Sequence, residues 1–284
     1  MKQTMRLQAL LCLLLFAAPF GAAQNIAFWN VENFFEDSPH FSAKARGIAK
    51  VVLCLADSTG QPPAVVGLCE VGSAACLKAL VRNPALRRYG YRYVHYDSPD
   101  RRGIDCALLY RGKEPVRTAS IALRDSLGAV IPTRSLLVAE FDTLSVVVCH
   151  LPSKRGGSAE ASRLRLLALR ALAALCDSLS CHVVAIGDFN DTRTALSDSI
   201  MFPMRELSTE GGTIKYQGVW EQIDRAFVSP ELDAALFVAA LPFLSEPDKK
   251  YGGVKPRRTF IGPRYNAGLS DHYPIILSFG RRRK

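Results

Sequence analysis

Past its first two dozen residues, the sequence has no apolar run long enough to cross a bilayer, so it offers no membrane span there. It has no Cys-x-x-Cys and no His-x-x-x-His pair, the spacings that build zinc sites. It has no internal repeat and no low-complexity linker. Its one charge block is the last four residues, Arg281 to Lys284, so neither a solenoid nor a long disordered tail is expected. Acidic residues are in deficit: 26 Asp and Glu face 36 Lys and Arg, a formal net charge of +10. Such a balance suits polyanionic partners, whether nucleic acid, phosphorylated small molecules or anionic lipid, and by itself selects none of them.

The 284 residues are 49% hydrophobic, enough for a sizeable core in one large domain or two small ones. The start of the chain reads differently. Lys2 and Arg6 precede the apolar run Ala9 to Ala18, and Gly21-Ala22-Ala23 supplies small residues. This is the pattern of a secretory signal cleaved after Ala23, with an uncleaved anchor or a buried N-terminal helix as the alternatives. Residues 1–23 are then a signal peptide, and 24–284 a single exported domain of charge +8, periplasmic or secreted. No cysteine follows the small residues, so no lipoprotein is expected. Cys12 leaves with the signal. Cys54, Cys69, Cys76, Cys106 and Cys149 sit among apolar neighbours and read as small core residues, whereas Cys176 and Cys181 flank a short loop and could pair in an oxidising compartment.

Strands are expected at Asn25–Trp29, Ala64–Cys69, Tyr91–Tyr96, Ile104–Tyr110, Val116–Leu123, Leu136–Phe141, Ser145–His150, His182–Gly187, Ile223–Val228, Leu236–Ala240 and Ile275–Phe279. Many are nearly continuous apolar, as strands buried on both faces are, so helices must cover the sheets. The clearest helix is Ala159 to Asp177, with Leu164, Leu167, Ala168, Ala171 and Leu175 as its apolar stripe and Ser158 as its N-cap. Further helices are expected over Ala43 to Asp57 and Ala74 to Arg82. Asp142-Thr143-Leu144 signals a hairpin, which makes the sheets mixed. Residues 242–268, rich in Gly, Pro, Lys and Arg, read as a long loop suited to substrate contacts.

Polar residues recur where apolar runs stop. Asn30 follows Ile26–Trp29, Glu70 follows Val65–Cys69, and His150 ends Val146–Cys149. Asp188 and Asn190 follow Val183–Gly187, and Asp271 and His272 precede the last strand. Asp224, inside Ile223–Val228, is the exception. Strand ends gather into clefts in layered folds. Taken singly, each has a bland reading: Gly187-Asp188-Phe189-Asn190 as a turn, Ser270-Asp271-His272 as a helix cap, His150 as a structural histidine. Taken together, hard oxygen donors and two histidines are the parts that in-line attack on a phosphoester requires.

These residues lie in segments that resemble the endonuclease/exonuclease/phosphatase superfamily, the group of deoxyribonuclease I, exonuclease III and the inositol polyphosphate 5-phosphatases. The segments are Phe28-Trp29-Asn30-Val31-Glu32-Asn33, Gly67-Leu68-Cys69-Glu70-Val71, Ile104-Asp105-Cys106-Ala107-Leu108-Leu109-Tyr110 and Cys149-His150-Leu151-Pro152-Ser153-Lys154. They continue with Ile186-Gly187-Asp188-Phe189-Asn190-Asp191, Gln222-Ile223-Asp224-Arg225-Ala226 and Leu269-Ser270-Asp271-His272-Tyr273-Pro274. The resemblance implies an α/β (α+β) four-layer sandwich, two mixed β-sheets flanked by helices, deoxyribonuclease I-like. It implies Glu70 as the main metal ligand, helped by Asn30 and Asp271, with Mg2+ or Mn2+ as the ion and Ca2+ as an alternative. Asp188 and Asn190 would activate water and contact the phosphate, Asp224 would polarise His272, and His150 would be a second catalytic histidine. Arg134 stands where many members have a basic residue near the phosphate. Three departures stand out: Cys69 where Gln is common, Cys149 where Asn is common, and Gly72-Ser73 where secreted members often have Glu-Asn.

The function expected is an exported, metal-dependent, monomeric nuclease cleaving DNA, and RNA as an extension. Lys249, Lys250, Lys255, Arg257, Arg258 and Arg264 supply cations for backbone phosphates, with Lys255, Arg257 and Arg258 as substrate-binding candidates. The alternatives are a phosphatase or phosphodiesterase on inositol phosphates, phospholipid or other small phosphoesters, and a binding protein on an inactive scaffold.

Overall fold

A computed structural model describes residues 25–153 and 159–280. The expected signal peptide, Lys154, the Ser158 cap and Arg281 to Lys284 lie outside the described residues. In chain order the first half runs β1 (Ile26–Phe34), α1 (Phe41–Cys54), β2 (Val65–Val71), α2 (Ala74–Arg82), α3 (Pro84–Arg87), β3 (Arg92–His95) and β4 (Asp105–Tyr110). The second runs β5 (Arg117–Ile121), β6 (Leu136–Glu140), β7 (Leu144–His150), α4 (Ala159–Ser178), β8 (His182–Asp188), α5 (Ala195–Met201), β9 (Arg205–Glu206), β10 (Ile214–Tyr216), β11 (Val219–Glu221) and β12 (Asp224–Val228). The chain ends with β13 (Ala234–Val238), β14 (Ser245–Pro247), β15 (Val254–Pro256), β16 (Phe260–Ile261), β17 (Arg264–Tyr265) and β18 (Ile275–Phe279).

Two six-stranded sheets form, ordered β13-β18-β1-β2-β4-β3 and β5-β6-β7-β8-β12-β9. Each is mixed, with one parallel pair at its centre, β1 with β2 and β7 with β8. Strand alternation shows why the strands are apolar throughout. Ile26 and Phe28 enter the core between the sheets, while Ala27, Trp29 and Val31 enter the core shared with Ile48, Val52 and Leu77 of α1 and α2. In β7, Val146 and Val148 face the other sheet, while Val147 and Cys149 face α4. Both faces of each sheet are therefore covered, and the four-layer α/β sandwich expected from the sequence is the fold observed. Among the described residues, no helix is long and apolar enough to cross a membrane.

All eleven expected strands are present, and the differences have local causes. α1 stops at Cys54 because the Asp57 carboxylate accepts the Thr59 and Gln61 amides, at 2.7 and 3.1 Å, and turns the chain. Cys54 falls on the face of α1 that carries exposed Lys50, off the stripe of Ile48, Val51 and Val52, and is exposed, against the expectation of burial. The buried ridge of α4 is Ala168, Leu169, Leu172 and Cys176, rotated from the expected stripe. Cys176 is buried on the inner face of α4 and Cys181 is half-buried; both are free thiols. The expected loop 242–268 is two small hairpins, β14–β15 and β16–β17. Gly72-Ser73 serves α2: the Ser73 hydroxyl caps it by accepting the Ala75 amide at 3.1 Å.

Candidate active site

The two parallel pairs bring their strand ends to one edge of the sandwich. His150 ends β7, Asp188 ends β8 and Asp224 begins β12, and the three stand opposite one another in consecutive register. Asp224 thus begins its strand as His150 and Asp188 end theirs, correcting its placement inside a strand, whereas Asn30, expected just after a strand, lies within β1, where the pairing with β2 shifts register between Asn30 and Phe34. A β-carbon at Gly187 would fall 2.1 Å from the Cys149 carbonyl oxygen, so glycine is what lets the backbones lie this close beside the row. From the other sheet, Asn30 reaches across and its amide donates to Asp188 Oδ2 at 3.0 Å and to Glu70 Oε1 at 3.3 Å. Glu70 takes a left-handed conformation (φ 62°), and its second oxygen accepts the Asn33 amide at 2.9 Å. Asn190, also left-handed (φ 50°), donates its backbone N–H to Asp188 Oδ1 at 2.8 Å and its side-chain amide to the Leu151 carbonyl at 2.9 Å.

The 270–272 turn is stitched onto the middle of β1. Ser270 Oγ donates to the Asn30 carbonyl at 2.6 Å and accepts the His272 amide at 3.0 Å, and the Trp29 indole donates to the His272 carbonyl at 2.9 Å. His272 Nδ1 lies 2.8 Å from Asp224 Oδ2, with its Nε2 3.9 Å from Asp188 and 3.8 Å from Asp271. His150 Nε2 lies 3.6 Å from the same Asp188 oxygen. Asp188 is the hub on which Asn30, Asn190 and both histidines converge.

Burial sets the protonation states. It pushes the Asp188 carboxyl up to about 7, Asp224 adding to the rise against the opposing pull of His272 and the Asn30 and Asn190 hydrogen bonds. Burial, then the nearby Arg134 and Arg102, holds His150 well below the usual imidazole range, so it is neutral. Burial opposes charge on His272 too, yet Asp224, Asp188 and Asp271 together raise it well above that range. One imidazole is cationic, the other neutral, and a near-neutral carboxyl stands between them.

The substrate-binding candidates separate. Arg258 lines the cleft and pairs with Asp271 and Glu32, each at 3.0 Å; Lys255 lines it too, 3.6 Å from Glu246. Arg257 spends its Nε on the Asn266 carbonyl at 3.0 Å and does not line the cleft. Arg134 is buried. It donates to the His150 and Leu151 carbonyls, at 3.2 and 2.6 Å, and pairs with Asp100 at 3.2 Å. It braces the strand end that carries His150 and does not reach into the cleft. Sequence reasoning missed Glu32, Lys44, Arg102, Tyr216 and Tyr251, whereas Lys250, expected among the loop cations, does line the cleft. Glu32 accepts the Thr259 amide at 2.7 Å as well as Arg258, and buried Lys44 donates to the Glu32 carbonyl and to Thr259 Oγ1. Only Glu32 carried a signal, as part of the Asn30 segment.

The donor set fits a divalent cation. Glu70 and Asp271 are partly exposed carboxylates on the cleft wall, hard donors of the kind Mg2+ and Mn2+ take. Asp188, Asp224 and His272 bring ligand atoms within 4.8 Å of one another, as do Cys69, His150 and Asp188. Burial first, then the Asp271 charge, raises the Glu32 carboxyl against the pull of the Thr259 hydrogen bond, Arg258 and Lys44.

Residues 37–281 match the model of the Endonuclease/Exonuclease/phosphatase family. The chain belongs to that family. Its members are hydrolases acting on phosphoester bonds, and they commonly use divalent metals. No curated protein sequence matches the chain significantly. Similar solved structures include D. rerio TDP2 complexed with single-strand DNA product, at 19% identity and TM-score 0.59, covering 91% of this chain and 99% of that one. The Bacteroides thetaiotaomicron mannosyl-6-phosphatase is 17% identical at TM-score 0.58, with 91% and 100% covered. Beta toxin from Staphylococcus aureus is 14% identical at TM-score 0.62, with 90% and 100% covered. At these identities the likeness concerns the fold.

Proposed function

We propose that this family member is an exported, divalent-metal-dependent nuclease. The observation that carries phosphoester hydrolysis is the buried row His150–Asp188–Asp224 closed by His272, with Glu70 and Asp271 beside it. Glu70 and Asp271, with Asn30 orienting Glu70, would hold Mg2+ or Mn2+, which would supply Lewis-acid polarisation of the phosphoryl group. The chain's own groups do the rest. Asp188, with a carboxyl near neutrality, takes the proton of the attacking water, because a base is most effective when its pKa lies near the working pH. Asn30 and Asn190 hold that carboxyl in place. His272, charged and anchored by Asp224, presents Nε2–H to the phosphoryl oxygens as negative charge develops there. Neutral His150 hydrogen-bonds the same phosphoryl group.

A strand of nucleic acid as substrate is supported by the charge of +8 on residues 24–284 and by Arg102, Lys250, Lys255 and Arg258 lining the cleft. The similarity to TDP2, solved with a single-strand DNA product, points the same way. Export is supported by the Lys2-to-Ala23 pattern. The test is incubation of purified protein with plasmid DNA and single-stranded oligonucleotides in Mg2+ or Mn2+, with and without chelator. Cleavage that chelation abolishes supports the reading; intact DNA across metals and salt concentrations overturns it. The second reading, a phosphatase on small phosphoesters, is favoured by the similarity to the mannosyl-6-phosphatase. Turnover of sugar or inositol phosphates with DNA spared would establish it.

A further inference from the structure

We propose that Tyr216 and Tyr251 form a ring-stacking subsite on the cleft wall that takes a nucleobase of a single strand. The subsite rests on the nuclease reading and specifies the form of nucleic acid that the cleft accepts.

The wall is the β10–β11 hairpin and the turn at Asp248–Gly253. Its two-residue hairpin turn, Gln217-Gly218, has positive φ at both positions (49° and 86°), the geometry that matches strand twist and closes a tight hairpin. Tyr216 stands at the tip, lines the cleft and remains 64% exposed; Tyr251 lines it at 46%. The Tyr216 hydroxyl takes only a long contact from the Gln217 amide, 3.4 Å, and its ring stacks on no other ring among the described residues. Such apolar faces inside a cleft are suited to a flat ligand.

The platform is rigid. The Lys215 ammonium is buried and donates to the Gly252 carbonyl at 2.6 Å while pairing with Asp248 at 3.0 Å. A β-carbon at Gly218 would lie 2.9 Å from that of Tyr251, so the hairpin tip and the turn touch backbone to side chain. Trp220 stacks on Tyr273, the residue after His272, with ring centroids 5.6 Å apart. The wall is thereby tied to the segment that carries the cationic imidazole.

Charge completes the pattern. Lys250 Nζ lies 4.9 Å from the Tyr251 ring centre, and Arg102, with its side chain 53% exposed, lines the same cleft. Exposed rings alternating with cations bind a single strand, bases on the rings and phosphates on the cations. In a duplex the base faces already stack on one another and offer the rings nothing. The cleft volume, about 820 Å3, exceeds what a phosphoryl group requires and leaves room for neighbouring groups.

The experiment measures binding by fluorescence anisotropy, in chelator, for a short labelled oligothymidylate and for the same strand with abasic sites. Cleavage of both strands is measured separately with Mg2+. Tyr216→Ala should raise Kd for the oligothymidylate about tenfold, the scale of one stacked base, with Tyr216→Trp restoring it. Removing the bases from the strand should cost a similar factor, and the two losses should not add. Cleavage without this base-dependent loss overturns the subsite and leaves the nuclease reading standing. A base-dependent loss without cleavage supports the subsite and overturns the nuclease reading. Equal binding losses for the two strands, or tighter binding of a sugar phosphate than of the strand, overturn the base-stacking assignment. Absence of both binding and cleavage overturns both.

Discussion

Replacing Asp188 by asparagine should inactivate the protein and stabilise its fold. Burial raises the Asp188 carboxyl from an ordinary 3.8 to about 7. For an acid whose folded pKa exceeds its unfolded one, the unfolded chain releases the proton first. The group therefore weakens the fold increasingly as pH rises through that interval, and the penalty levels off above about pH 7. A rise of this size corresponds to about 4 kcal/mol at the plateau. Asparagine carries no charge at any pH and removes the penalty. It keeps the hydrogen bond from the Asn190 amide but sets its own amide against that of Asn30, which now donates to Asp188 at 3.0 Å. That mismatch costs about 1–3 kcal/mol. The balance is a gain of about 1–3 kcal/mol near pH 8 and none, or a loss, near pH 4. In a domain of this size each kcal/mol moves Tm by about 2–4 °C. Thermal unfolding of both proteins in chelator, from about pH 4 to pH 8, measures the effect, alongside hydrolysis with metal. A variant less stable than its parent at the upper pH, or a difference that does not change with pH, would refute a buried, near-neutral Asp188.

Other substitutions probe the remaining roles. His272→Ala should cost on the order of 10² to 10⁴ in kcat/KM; unchanged turnover would place the hydrolysis in another site or a contaminant. Glu70→Gln should weaken Mg2+ or Mn2+ binding, read by titration calorimetry without substrate, and undiminished binding would remove Glu70 as the anchor. Arg134→Ala should act on stability. It strips hydrogen bonds from the His150 and Leu151 carbonyls and leaves Asp100 without its buried partner, a loss of about 3–5 kcal/mol seen as a lower Tm. A raised KM at unchanged Tm would return Arg134 to the substrate.

Much of this molecule is legible one strand at a time. Period-two burial on both faces writes apolar runs such as Val146–Cys149, and a polar residue directly after a run marks a strand end at a sheet edge. That is how Glu70, His150 and Asp188 could be read without coordinates; Asn30, read the same way, lies inside β1, which runs on to Phe34 past a register shift. Asp224 was misplaced by one residue because Ile223 is apolar, although the strand starts after it. Arg134 was misread because a cation near a phosphate site and a cation bracing the backbone beside it look alike in sequence; which carbonyls lie within reach is decided by folding.

The local pattern by itself determined the strands, the clearest helices and the chemical types in the site. Only the tertiary structure decided the partners. Asn30 and Asp188 are 158 residues apart, and their 3.0 Å hydrogen bond exists because two sheets stack with their parallel pairs ending at one edge. The pKa of Asp188 follows from that burial, since desolvation depends on what surrounds a carboxyl in space. The Tyr216–Tyr251 wall likewise joins segments that show no common pattern along the chain. Local propensity sets where the chain extends, and long-range packing sets which side chains share a charge and a cleft.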